Sequence, residues 1–216
     1  KLAVGFTLPE VMNQITARTT SFFEPTVDYC VFKICRFTFE KFPATERIIN
    51  TSMKAVGEAM SIGRNFKEAL NKGIRSTETG RFGFGSDGKD KITDEMLRSP
   101  EPELLEKIKE KIRIPNDERL FYIRYGLKAG LTIDGIYELS KIDRWFIEQM
   151  QQLTELEEEL KSVAQSASLP AGLLRRAKED GFSDKQISFL LNSKEEEVRN
   201  MREKNDTKPV YKLVDT

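Results

Sequence analysis

One phrase occurs twice in this chain and restricts what the chain can become. Gly130-Leu131-Thr132 is followed by Ile136, and Gly181-Phe182-Ser183 is followed by Ile187. Glycine ends a helix in the left-handed conformation that other residues avoid, and Thr or Ser accepts a hydrogen bond from an orphan N–H of the next helix. The apolar residue before the cap can pack on the one four places after the cap. Each phrase therefore predicts a tight corner between two helices.

The remaining pattern from about residue 90 onward agrees with stacked short helices. Ser99-Pro100-Glu101 predicts a helix start, with Leu104, Leu105, Ile108 and Ile112 on one face. Asn116 or Asp117 starts the next helix, which turns Leu120, Ile123 and Leu127 inward and stops at Gly130. The longest predicted helix runs from about 142 to 163, with Trp145, Phe146, Met150 and Leu153 as its apolar stripe. Glu155, Glu157, Glu158 and Glu159 make its last turns acidic. That sign is unfavourable at a helix C-terminus, so basic groups from another helix or another chain are expected beside it. Ser193 with Glu196 is expected to cap a last helix ending near Asn205, and Pro209 to Thr216 reads as a strand or linker.

The first part of the chain has a different texture. Thr7-Leu8-Pro9-Glu10 carries a capping box with proline in the first turn. Val27 to Phe37 is dense in β-branched and aromatic residues and reads as a strand; Met53 to Ile62 is ambiguous between helix and strand, and Gly57 with its Ala-rich spacing favours a second strand. Asn65 then caps a helix to about Ile74. Two strands do not make a stable sheet by themselves. The chain also opens in mid-phrase at Lys1-Leu2-Ala3-Val4 without Met. The expectation is a segment of a longer protein.

Composition narrows the function. Lys plus Arg and Asp plus Glu are both 35, a net charge of zero. A nucleic-acid binder draws most of its affinity from a cationic surplus, so this balance argues against one. Without a run of eighteen apolar residues the sequence predicts no membrane-spanning helix. Histidine is absent, which excludes Ser-His-Asp and Cys-His catalysis and removes the commonest metal ligand. Cys30 and Cys35, five apart on a strand, fall on opposite faces and read as reduced thiols of a cytoplasmic protein.

Several features invite a chemical reading, each beside a plainer one. The four glycines of Gly80-Arg81-Phe82-Gly83-Phe84-Gly85-Ser86-Asp87-Gly88 could cradle phosphate, but no Gly-Lys-Ser/Thr follows, and a flexible linker is the expectation. The corner from Phe182 to Asn205 could be a DNA-reading helix–turn–helix, but its basic residues are matched by acidic ones, which favours a packing corner. The acidic cluster at 155–159 lacks the Asp/Asn-Gly alternation of a calcium loop and reads as a solvated face or an ion-pair network. Trp145 and Phe146 read as core, or else as a partner-binding anchor. Glu58 shares a strand face with Val56, Met60 and Ile62. A carboxylate on an apolar face must be paired or line a polar channel.

Specific phrases then resemble a known family. Phe23-Glu24-Pro25, Asp28-Tyr29, Lys33-Ile34-Cys35-Arg36-Phe37 and Met53-Lys54-Ala55-Val56-Gly57-Glu58-Ala59-Met60-Ser61-Ile62-Gly63-Arg64 resemble the end of the first ATP-grasp unit of the carbamoyl phosphate synthetase large subunit. Ile142-Asp143-Arg144-Trp145-Phe146, Gly181 to Ile187 and Pro209 to Thr216 resemble the helical segment that follows and the strand opening the second synthetase half. The resemblance implies a mainly α chain: residues 1–77 as a small α/β remnant of the carboxyphosphate-forming ATP-grasp domain, 78–208 as an orthogonal helical oligomerization domain, and 209–216 as the start of the second half. The parent enzyme makes carbamoyl phosphate from bicarbonate, glutamine-derived ammonia and two ATP, with magnesium or manganese, for arginine, pyrimidine or urea synthesis. The resemblance implies that its nucleotide- and metal-binding residues lie outside this chain, so no catalytic residue and no cofactor is assigned here. The implied partners are other large subunits, the two synthetase halves and a glutaminase small subunit. Met53 and Glu58 match positions bordering the internal carbamate tunnel. Cys35 replaces the family's usual proline, and Ala55 its usual serine. The alternative from another class is a stand-alone helical adaptor or helix–turn–helix regulator.

Overall fold

A computed structural model describes residues 1–24, 26–164 and 169–213. Two strands, β1 (Cys30–Phe37) and β2 (Ala55–Gly63), pair antiparallel, with Cys35 opposite Glu58 and Lys33 opposite Met60. Helix α1 (Phe66–Ser76) covers one face of this ribbon. Among the described residues eight further helices follow: α2 (Asp94–Arg98), α3 (Pro102–Arg113), α4 (Arg119–Lys128), α5 (Ile133–Ser140), α6 (Arg144–Val163), α7 (Ala171–Glu179), α8 (Asp184–Leu190) and α9 (Glu195–Lys204). The fold is mainly α with a small α/β part in front, as expected.

Both corners form as the repeated phrase predicts. Gly130 and Gly181 have φ of +86° and +85°. Thr132 accepts from the Gly135 N–H at 3.1 Å and Ser183 from the Gln186 N–H at 3.2 Å. Ile136 and Ile187, the stapled residues, are fully buried. The core runs from Leu70 and Ile74 of α1 through Ile108, Ile123 and Ile147 to Leu174 and Val198. Near the N-terminus, the Glu10 carboxylate accepts from the Thr7 N–H at 2.8 Å, so that capping box also forms, on a single 3-10 turn.

Other boundaries differ. The helix expected at Ser99 begins at Pro102, with Glu101 at the cap, and α2 precedes it. Thr93 caps α2, accepting from the Met96 N–H at 3.4 Å. The Asn116 side chain accepts from the Glu118 N–H at 3.0 Å, and α4 starts only at Arg119. The last helix is capped one residue later than expected: Glu197, not Glu196, reaches back to the N–H of Lys194. Ser193 Oγ is buried without a hydrogen bond among the described residues. The strand-or-linker reading of Pro209 to Thr216 falls partly outside the described residues; Pro209 to Leu213 adopts no regular structure.

The largest correction concerns the glycine-rich stretch. Residues 83–87 are buried, with Phe84 only 1% exposed. The glycines serve close approach rather than flexibility. A β-carbon on Gly83 would fall 2.3 Å from Gln186 Oε1, and one on Gly85 2.1 Å from Arg124 Nε. The backbone polar groups find side-chain partners: Phe82 N–H donates to Asp87, Ser86 N–H to Asp90 and Phe84 N–H to Asn71, each at 2.9 Å. A segment satisfied in this way can be buried despite its turn-rich sequence.

Candidate functional site

Strand β2 alternates as a strand must, and its even positions turn away from α1. Val56 is 62% exposed and Met60 66%, with Glu58 between them. The carboxylate on this apolar strip is paired: Lys33 Nζ of β1 lies 2.8 Å from Glu58 Oε1, both side chains half exposed. The hydrogen bond from Lys33 to Glu58 raises the lysine's pKa. Beside Glu58 is a hollow of about 260 Å³ lined by Arg36, Val56, Gly57, Glu58, Ala59 and the end of α1 at Ser76–Glu78. The structure thus brings Glu58, Lys33 and the Arg36 stretch together. Met53 lies outside this hollow and is 94% exposed.

Trp145 and Phe146 are not core. They are 49% and 40% exposed, and both rest edge-on against Phe66, with ring centroids 5.6 and 5.2 Å away. Phe66 in turn contacts Phe32 of β1 at 5.8 Å. The four rings fasten the start of α6 to the covered side of the ribbon. An aromatic at the first turn of a helix lies at the rim of the bundle, which explains why a good apolar stripe fails to bury it.

The acidic end of α6 meets basic groups from other helices of the same chain. Arg124 of α4 and Glu157 of α6 are each 1% exposed and paired at 2.6 Å. Arg124 also reaches Asp90 at 3.2 Å and Ser86 Oγ at 3.0 Å. Lys128 contacts Asp94, Glu157 and Glu158, and Lys161 binds Asp94 and Glu158. Arg81 joins Asp87 and Asp90. Burial opposes the charge on Arg124, but Glu157 together with Asp90 and Asp94 outweighs it and holds the guanidinium above its usual pKa. Basic groups beside the acidic turns are expected from the sequence, but the burial of Glu157 is not. The available signal was the spacing of Glu157, four residues after Leu153 and three before Leu160, both fully buried on one helix face.

Among the described residues no group of three or more Cys, Asp or Glu side chains is arranged to hold a metal ion, and no helix is long and apolar enough to cross a membrane. Fold and site together define a helical domain, in which a bundle of short helices carries a strand pair on one flank.

Comparison with known proteins gives that domain its family. The model of the carbamoyl-phosphate synthetase large chain oligomerisation domain matches residues 58–206, and the chain belongs to that family. The carbamoyl phosphate synthase large chain of Archaeoglobus fulgidus is 48% identical over 219 residues, covering 100% of this chain and 19% of the relative. The large chains of Nostoc sp. and Vibrio cholerae are 46% and 44% identical, again over all of this chain and 19% of their own length. The chain therefore spans about a fifth of the length of the relatives it matches.

Proposed function

We propose that this chain is the connector and self-association segment of a cytoplasmic carbamoyl phosphate synthetase large subunit. In this reading the helices from about residue 78 to 208 join copies of the large subunit and link its two synthetase halves, while residues 1–77 end the carboxyphosphate-forming half and 209–216 open the second. The parent enzyme uses bicarbonate, two ATP with a divalent cation, and ammonia from a glutaminase small subunit. The family match across residues 58–206, on a chain that aligns end to end with large-chain relatives, carries the assignment.

Met53 and Glu58 are the residues assigned to the carbamate tunnel. The Glu58 carboxylate, next to a hollow and paired with a half-exposed lysine, supports a wet wall more than a packed one.

A helix–turn–helix regulator finds less support. In the α7–α8–α9 corner, Lys178 and Arg202 both bind Asp184, each at 2.9 Å. Those cations are neutralised within the fold rather than presented to phosphate.

Light scattering on this chain tests the proposal. A dimer or larger species, with no bicarbonate-dependent ATP hydrolysis, is the expected result. A monomer at high concentration, or bicarbonate-dependent ATP turnover by this chain alone, overturns it.

A further inference from the structure

We infer that helix α1 is a transmission element: it locks the β1–β2 ribbon to the α7–α8 corner, so that a displacement of the corner is carried to strand β2. Both flanks of α1 make backbone-close contact, and glycine permits it on each. On the ribbon side, a β-carbon on Gly63 would lie 2.7 Å from Ala69 N, and one on Gly73 2.7 Å from the Phe32 ring. Ser61 Oγ of β2 donates to Ala69 O at 2.7 Å, a bond from strand to helix backbone. On the corner side, a β-carbon on Gly181 would lie 2.8 Å from Glu68 Cα. Such contacts leave no side-chain cushion to absorb relative motion.

Polar bonds fix the same interface. Asn71, fully buried, donates to Asp180 O at 3.0 Å and accepts from the Phe84 N–H at 2.9 Å. Lys67 pairs with Asp180 at 2.8 Å, and Arg75 donates to Gly181 O at 2.8 Å. The glycine-rich segment is tied into the lock, because Gln186 of α8 donates to Gly85 O at 2.8 Å. Separating α1 from the corner strands buried polar groups on both sides, so the two halves of the contact move together or not at all.

The lock is a statement about this chain alone. Its consequence, that assembly of the helices sets the position of the Glu58 strand, rests on the proposed function.

The two corners supply a matched test. Gly181→Ala and Gly130→Ala impose the same left-handed strain, since both glycines have φ near +85°. Nothing lies within 4 Å of a β-carbon on Gly130, whereas the one on Gly181 strikes α1. Amide hydrogen exchange on this chain reads the outcome. Gly181→Ala should speed exchange of the β2 amides by about tenfold, and Gly130→Ala should leave them as in the unsubstituted chain. Arg75→Ala, which removes one corner bond without a clash, should act in the same direction by a smaller factor and serves if Gly181→Ala does not fold. The lock is overturned if the corner loosens while β2 exchange is unchanged, or if Gly130→Ala loosens β2 equally. Neither result depends on what the parent protein catalyses.

Discussion

Gly85 lies so close to Arg124 that a β-carbon on the glycine would sit 2.1 Å from the arginine Nε. Arg124 has no room to yield, being 1% exposed and bound to Glu157. Gly85→Ala should therefore expel the guanidinium and leave Glu157 buried with only the more distant Lys128 at 3.4 Å. Breaking a buried pair in this way costs about 3–5 kcal/mol. Urea denaturation should show the loss as a lower midpoint. A midpoint within about 0.5 kcal/mol of the parent would contradict the close approach.

Removing either member of the Arg124–Glu157 pair should be worse than removing both. Arg124→Met strands the carboxylate, and Glu157→Leu strands the guanidinium, each at about 3–5 kcal/mol. The double variant should be less destabilised than either single one, falling at least about 3 kcal/mol short of their sum. A double-mutant cycle on the unfolding free energies checks this, and strict additivity would deny direct coupling.

Asp94 should make the fold sensitive to acid. Burial raises its pKa, but hydrogen bonds from Lys161 and Lys128 more than reverse that and bring it from 3.8 to about 2. Because the folded value lies below the unfolded one, the stabilisation is complete above about pH 5 and disappears as the pH falls toward about 2. With the side chain 32% exposed, solvent screening leaves a contribution of about 1 kcal/mol. Asp94→Asn should lower stability at pH 6 and flatten the acid limb by that amount. An unchanged acid limb would mean that Asp94 is not held by the two lysines.

Lys33 and Glu58 should matter little to folding. Both side chains are half exposed, and exposed ion pairs contribute little to stability. Glu58→Gln should therefore leave the thermal midpoint of this chain within a few degrees of the parent value. A large drop would make Glu58 a structural residue and remove the reason to assign it to a tunnel.

Much of this architecture is legible in the sequence because its signals are local. The corners at Gly130 and Gly181 are written in adjacent residues, and the first strand in its β-branched and aromatic density. Glu58 is legible as an anomaly, since a carboxylate between Val56 and Met60 breaks the pattern of its own strand. What escapes is whatever depends on distant partners. The segment from Gly80 to Gly88 has the composition of a linker, and only the arrival of Arg124, Asn71 and Gln186 makes it interior. Trp145 errs in the opposite direction: its helix position is apolar, but it rests against Phe66 and Phe146 and stays 49% exposed. Capping at Lys194 rather than Ser193 is a shift of one residue, within the ordinary uncertainty of helix ends.

The burial of the Arg124–Glu157 pair divides the molecule's charges into two populations that brine treats differently. At about 1 M salt the screening length shrinks to about 3 Å, enough to silence peripheral pairs such as Arg199–Glu203 and Lys141–Glu138. Dissolved ions cannot enter where water does not, so the pair beneath Gly85 keeps its full attraction. Concentrated electrolyte should fray the rim of this protein and leave its centre fastened.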